Sequence, residues 1–208
     1  MKLRADVKPK AVLFDLLTAL IDSWSLWDAV AGGETDGRRW RAAYLKITYG
    51  EGRYRPYEDL VREAAAAVGL PARLADELAA RYGELRPWPE VGEVLRSLRV
   101  PLGVVTNCSE ALARVAVACT GIEFAVVVSA ERAGWYKPRP EPYRLALAEL
   151  SVAAEETLFV AGSAYDLAGA AGVGMPVFWH DRVGMAMPPE APPPLMRSET
   201  LFALRSLV

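Results

Sequence analysis

Asp15 closes the short apolar run Ala11-Val-Leu-Phe14, Thr106 and Asn107 close a second run that starts at Leu102, and Ser163 closes a third that starts at Thr157. Runs this short, bounded by polar residues, read as buried strands. Strands that alternate with helices form a parallel sheet whose ligands gather at the carboxyl ends of the strands, so these four side chains are candidates to meet a small polar substrate. Taken alone, an aspartate after an apolar run reads more readily as the cap of a turn. His180 is the one histidine of the chain, which excludes HExxH zinc hydrolysis, His-rich metal sites and any mechanism that needs two imidazoles. Cys108 and Cys119 lie eleven positions apart, a spacing that fits neither a CxxC redox pair nor half of a zinc site.

The elements that must position these residues follow from the same pattern. Shorter strands are expected at Phe124–Val128 and Pro176–Trp179, and helices at Ala111–Cys119 and Asp166–Ala171. Between the first strand and the second, the texture is helical from Ser23 to about Pro87, with candidates at Ser25–Ala31, Arg38–Thr48, Tyr57–Val68 and Ala72–Leu85. This interval reads as a helical cap inserted into the core. The predicted division is therefore an α/β core of residues 1–22 and 88–208, with a cap of residues 23–87. Core helix Glu90–Leu98 follows the cap, proline-rich Pro188–Pro194 must be a loop, and Glu199–Leu207 forms a short terminal element.

Composition bounds the function classes. The 208 residues are 52% hydrophobic and 24% charged, enough for one core with a small satellite and ordinary for a globular chain. With 24 basic against 26 acidic side chains and no long Lys/Arg run, a nucleic-acid partner is not expected. The most apolar stretch, Ala111–Ala130, is interrupted by Arg114 and Glu123, so no membrane span is expected. The N-terminal MKLRADVKPKAVLFD lacks the apolar run of a signal sequence, and two cysteines read as reduced thiols, which points to the cytoplasm.

Four separated segments resemble, in order, the motifs of the haloacid dehalogenase superfamily: Phe14-Asp15-Leu-Leu-Thr18, Val105-Thr106-Asn107, Tyr136-Lys137-Pro138 and Ala161-Gly-Ser-Ala-Tyr-Asp166. The resemblance covers nearly the whole chain and implies a Rossmann-like parallel sheet covered by helices on both faces, a cap, and Asp15 as nucleophile. A carboxylate with an ordinary pKa of ~3.9 is ionised at neutral pH and needs no base to activate it, so a lone histidine is no obstacle. Two positions separate the branches of the superfamily. Phosphatases carry a general acid two residues after the nucleophile, where this chain has Leu17, and a Gly-Asp pair in the fourth motif, where it has Ala161-Gly162. An alcohol leaving group needs a proton, whereas a halide does not. Losing the second carboxylate also weakens a magnesium site, so the resemblance implies no cofactor, with weak magnesium binding at Asp15 and Asp166 left open.

Both departures are those of the metal-independent 2-haloacid dehalogenases. Three further stretches resemble that branch: Lys137-Pro-Arg-Pro-Glu-Pro-Tyr143, Trp179-His-Asp-Arg182-Val-Gly184 and Trp40-Arg41. The resemblance implies that Arg41 receives the halide or orients the substrate, with Arg39 and Lys46 as rivals, and that Tyr143 stands beside the site. It implies that Thr106, Asn107 and Lys137 hold Asp15 and the substrate carboxylate, that Asp15 displaces halide from carbon two of a short 2-halocarboxylic acid, and that Asp166 activates water against the resulting ester. It allows a homodimer. The branch's Ser-Ser-Asn is Ala161-Gly162-Ser163 here, so the amide that would help place that water is missing. His180 is expected to shape the pocket rim at most. Two other readings stand beside this one: a phosphatase of small phosphate esters that has lost its usual acid, and a protein that binds a small anion or partner without turnover.

Overall fold

A computed structural model describes residues 8–208; the first seven residues of the expected core, and that part of the N-terminal reading, lie outside the described residues. Strand β1 (Ala11–Phe14) leads into four helices, α1 (Ser23–Ala31), α2 (Glu34–Glu51), α3 (Tyr57–Ala67) and α4 (Arg73–Ala80). The core resumes with α5 (Val91–Ser97), β2 (Leu102–Thr106), α6 (Glu110–Thr120), β3 (Val126–Ser129), α7 (Ala130–Ala133) and α8 (Pro140–Leu150). It closes with β4 (Thr157–Ala161), α9 (Asp166–Gly172), β5 (Val177–His180) and β6 (Met196–Ser198). All neighbouring strands are parallel, in the order β3-β2-β1-β4-β5-β6. The fold is thus the expected Rossmann-like α/β sheet.

Alternation along the strands sorts the core into two layers. Val12, Phe14, Val104, Leu158, Val160 and Phe178 face one cluster, while Leu13, Val105, Phe159, Ala161 and Trp179 face the other. Successive strand side chains point to opposite faces, so apolar residues at every position demand helices on both sides. The chain runs outward from β1 to β2 and β3, then crosses back to β4, which makes the carboxyl ends of β1 and β4 the switch point where a ligand crevice opens. Asp15 follows β1 directly, its N–H donating to Val160 O of β4 at 2.9 Å.

The helical insert joins the sheet by two antiparallel crossings. Ile21 pairs with Pro87, Asp22 N–H donates to Arg86 O at 2.9 Å, and Trp88 N–H donates to Leu20 O at 2.9 Å. On its far side, Arg53 pairs with Trp135, and Tyr136 N–H donates to Gly52 O at 2.7 Å. Within the insert, Asp22 caps α1 through Ser25 N–H, and left-handed Gly32 ends it. Helix α2 starts at Glu34 rather than at the expected Arg38, because Gly37 lies against Asp28 of α1 where any Cβ would overlap that residue's backbone. A glycine in the first turn of the helix therefore marks a close helix contact, not a break.

Three of these helices and strands are absent from the sequence expectation: the single turn α7, helix α8 and strand β6. Helix α8 was masked by prolines, yet Pro140 and Pro142 occupy its first turn, where a missing N–H costs nothing. Strand β6 is three residues long and lies at the sheet edge after the proline-rich loop; Arg197 stacks over Trp179 at 4.4 Å and pairs with Asp181 to hold it there. The terminal element is a 3-10 helix over Leu201–Ser206.

Candidate active site

Asp15 enters the crevice clamped at both oxygens. Its Oδ2 accepts from Thr18 N–H at 3.0 Å, from Ala19 N–H at 3.2 Å and from the Thr18 hydroxyl. Its Oδ1 accepts from Lys137 Nζ at 2.9 Å. A carboxylate oxygen has about two lone-pair directions, so Oδ2 is saturated while Oδ1 keeps one free. The loop Leu16–Leu20 that supplies these donors is itself anchored: Trp88 Nε1 donates to Thr18 O at 3.1 Å, and the His180 ring binds Ala19 O at 2.8 Å. His180 is fully buried rather than at a pocket rim, and burial holds its imidazole below its ordinary pKa, so a neutral ring presents Nδ1–H to the carbonyl. Gly162 at the end of β4 lies directly beneath this loop, where a Cβ would overlap the Thr18–Ala19 peptide.

Lys137 is the pivot of the site. Its Nζ lies 2.9 Å from Asp15 and 3.1 Å from Asp166 Oδ1, all three side chains being nearly or fully buried. Burial pulls the ammonium pKa down, but the two carboxylates outweigh it and hold it above its ordinary value. Burial pushes Asp15 up, yet the Lys137 charge and the Thr18 and Lys137 hydrogen bonds reverse this, so Asp15 titrates below its usual range. For Asp166 burial prevails over Lys137, and its carboxyl is pushed up to about 6. Environments that separate two carboxylates in this way assign one as permanent anion and the other as proton acceptor near neutrality.

Asn107 does not reach Asp15. Its side chain brackets the Lys137 backbone, Oδ1 accepting from Lys137 N–H at 2.8 Å and Nδ2 donating to Lys137 O at 3.1 Å, and so fixes the lysine. Thr106 Oγ1 lies 3.7 Å from Cys108 Sγ and is buried. Both residues line a cavity of about 20 Å³ together with Asp15, Leu17, Arg41, Leu45 and Tyr49. That volume admits roughly one water molecule. Tyr143 lies behind the cavity, its hydroxyl 3.5 Å from Asp166 Oδ1. The structure turns Ser163 away as well: it is buried, and its Oγ accepts from Tyr165 N–H at 3.3 Å, bracing the turn before α9 instead of facing the cavity.

Arg41 is separated from its rivals by burial. Arg39 is exposed and pairs with Asp36, and Lys46 is exposed, whereas Arg41 is buried with its guanidinium against Trp24, Trp27 and Tyr44 at 5.1–5.7 Å. Its Nη2 approaches Leu17 O at 3.5 Å, while Nε and Nη1 have no partner. A buried cation that keeps unpartnered donors and lines a cavity has the chemistry to receive an anion.

Three residues given no role from the sequence also belong here. Thr18 supplies two of the Oδ2 donors, Tyr44 donates to Asn107 O at 2.7 Å, and Tyr49 donates to Asp166 Oδ1 at 2.7 Å. Arg41, Leu45 and Tyr49 recur every four residues on α2, so the helical period counted from Arg41 points to them.

The residues present do not fit magnesium. The donor set is too thin: Asp15 and Asp166 are the two carboxylates that meet in the crevice, Leu17 and Gly162 supply no further oxygen ligand from their side chains, and no group of three or more metal-ligating side chains occurs among the described residues. No helix among the described residues is long and apolar enough to cross a membrane.

The family model described as haloacid dehalogenase-like hydrolase matches residues 9–174. The (S)-2-haloacid dehalogenase of Xanthobacter autotrophicus is 32% identical over 187 residues, covering 81% of this chain and 73% of that one. A phosphoglycolate phosphatase of Rhodospirillum rubrum is 34% identical over 192 residues, covering 81% and 78%. Among solved structures, the L-2-haloacid dehalogenase of X. autotrophicus with chloropropionic acid covalently bound matches with a TM-score of 0.86 at 26% identity, covering 96% of this chain and 98% of that one.

Proposed function

The chain belongs to the haloacid dehalogenase-like hydrolases, and we propose that it hydrolyses the carbon–halogen bond of a short 2-halocarboxylic acid through an ester on Asp15. The observation that carries this reading is that Asp15 and Arg41, whose Nε and Nη1 have no partner, line one cavity, with Leu17 in place of any acid two residues on. A nucleophile facing an anion receptor suits a leaving group that departs as an anion and needs no proton. The helical insert serves as the cap over this cavity, and its small volume implies that the insert shifts to admit substrate and then excludes water.

The free lone pair of Oδ1 forms a bond to carbon two of the substrate as the carbon–halogen bond breaks, and the halide leaves with its electron pair towards Arg41. Oδ2 is now the ester carbonyl oxygen. Water attacks Cγ of Asp15, giving its proton to Asp166, and negative charge develops on Oδ2, where the Thr18 and Ala19 N–H groups and the Thr18 hydroxyl already point. Collapse breaks the Cγ–Oδ1 bond, the departing hydroxy acid takes the proton from Asp166, and Asp15 loses its remaining proton to solvent. No step needs an imidazole or a metal. The free thiols Cys108 and Cys119 fit a cytoplasmic setting.

The test is a panel of chloroacetate, L-2-chloropropionate and small phosphate esters, each with chelator and with magnesium. Halide release that persists in chelator is expected. Magnesium-dependent phosphate release without halide would establish the phosphatase reading instead, and neither product would leave a binding protein. The Asp166 carboxyl gives a second expectation. Because it must be ionised to take a proton and titrates at about 6, steady-state turnover falls as the pH is lowered through that value, while Asp15 stays ionised. A pH profile that is flat from 7 down to 5 would remove Asp166 as the base.

A further inference from the structure

We propose that Tyr49 is a positioning residue for the second half of the reaction, its hydroxyl holding Asp166 in the orientation that takes the proton from the attacking water. The proposal rests on the dehalogenase reading above. Asp166 is fully buried, and four groups meet it: Lys137, at 3.1 Å from Oδ1 and 3.3 Å from Oδ2, Tyr143 at 3.5 Å, Asp15 across the lysine, and Tyr49 at 2.7 Å. The Tyr49 hydroxyl makes the shortest of these contacts. Lysine is a rotatable point charge and Tyr143 stands at the limit of hydrogen-bond length, so the directional restraint on Oδ1 comes from Tyr49. Ser163, three residues before Asp166, makes no side-chain hydrogen bond to it; its hydroxyl accepts from Tyr165 N–H.

The tyrosine is itself held in place. Its ring stacks on Tyr165 with centroids 5.1 Å apart and planes at 29°, so ring and hydroxyl brace adjacent residues of one turn. Tyr49 also lines the cavity that Asp15 faces, and it stands on α2 of the helical insert, not on the sheet. Any shift of the insert that admits substrate withdraws this donor, and closure restores it. The base is therefore aligned when the cavity is shut against bulk water.

The two chemical steps respond differently to losing the hydroxyl. Carbon–halogen displacement uses Oδ1 of Asp15 and requires nothing of Asp166, whereas ester hydrolysis requires Asp166 to take a proton. In Tyr49→Phe, which keeps the ring on Tyr165, halide is expected in the first turnover at the wild-type rate. Steady-state turnover falls by about tenfold or more, within the range a general base supplies. The ester then accumulates on Asp15, seen as the added mass of the substrate's carboxyalkyl group on the intact protein, and is scarce in the wild type. A loss of both steps together, unchanged turnover, or equal ester in the two proteins would each overturn the proposal. Should the wild type release no halide from any 2-haloacid, the functional reading fails separately. The carbon-13 titration of the Asp166 carboxyl then decides: a midpoint higher in Tyr49→Phe supports the hydrogen bond, and an unchanged one overturns it.

Discussion

Asp15→Asn is expected to abolish halide release, with turnover down at least ~10³-fold, the scale of losing a covalent nucleophile. An amide nitrogen has no free lone pair to form the ester, and an amide oxygen is far less nucleophilic than a carboxylate. The side chain keeps its shape, but its single amide oxygen can accept from the Thr18–Ala19 donors or from Lys137 and not from both, so a loss of stability is expected beside the loss of activity. Circular dichroism and melting temperature serve as the control. A single turnover of the wild type in oxygen-18 water sharpens the test. Attack at Cγ places the label in the Asp15 carboxylate, read by mass analysis of its peptide, while direct attack of water on substrate places it in the hydroxy acid. Label in the product alone would remove Asp15 as nucleophile.

Lys137→Met is expected to lose both activity and stability. Methionine fills a similar volume without charge, leaving Asp15 and Asp166 buried with no cation between them. Removing one partner from a buried ion pair costs about 3–5 kcal/mol. The sign of its pH dependence follows from linkage. Without the ammonium, burial and mutual repulsion raise both carboxyl pKa values above those of the unfolded chain. The penalty is therefore greatest at neutral pH and shrinks as the pH falls towards 5 and the pair takes up a proton. Urea unfolding of both proteins at pH 7 and pH 5 measures this. A deficit that does not narrow at the lower pH would mean that the lysine acts through packing rather than charge.

Much of this was legible because a parallel sheet buries its strands on both faces and leaves polar residues at their ends. Continuous apolar runs ending in Asp15, in Thr106-Asn107 and in Ser163 locate β1, β2 and β4 and the crevice above them. What hid was set by contacts between distant segments. Tyr49 and Asp166 are 117 positions apart, and only the packing of α2 over the sheet makes a donor of one for the other. Asn107 looks like a substrate ligand until the Lys137 backbone is found between its two amide atoms. His180 ends a strand as pocket residues do, yet it is fully buried under the Asp15 loop, its ring bound to Ala19 O and 3.7 Å from the Glu90 carboxylate. Strand β6 carries no apolar run, since an edge strand three residues long needs none.

Gly162 carries a consequence for how freely this chain can change its chemistry. Restoring a carboxylate there, as the phosphatase pattern asks, would push the Thr18–Ala19 peptide aside, and that peptide presents the donors that saturate Oδ2. The gain of a metal ligand and the loss of the oxyanion donors would thus come in one substitution. A return to metal-dependent chemistry therefore needs the loop and the glycine to change together. The close packing beneath the nucleophile thus couples two properties, the donors on Oδ2 and the absence of a second carboxylate, so that neither is adjustable alone.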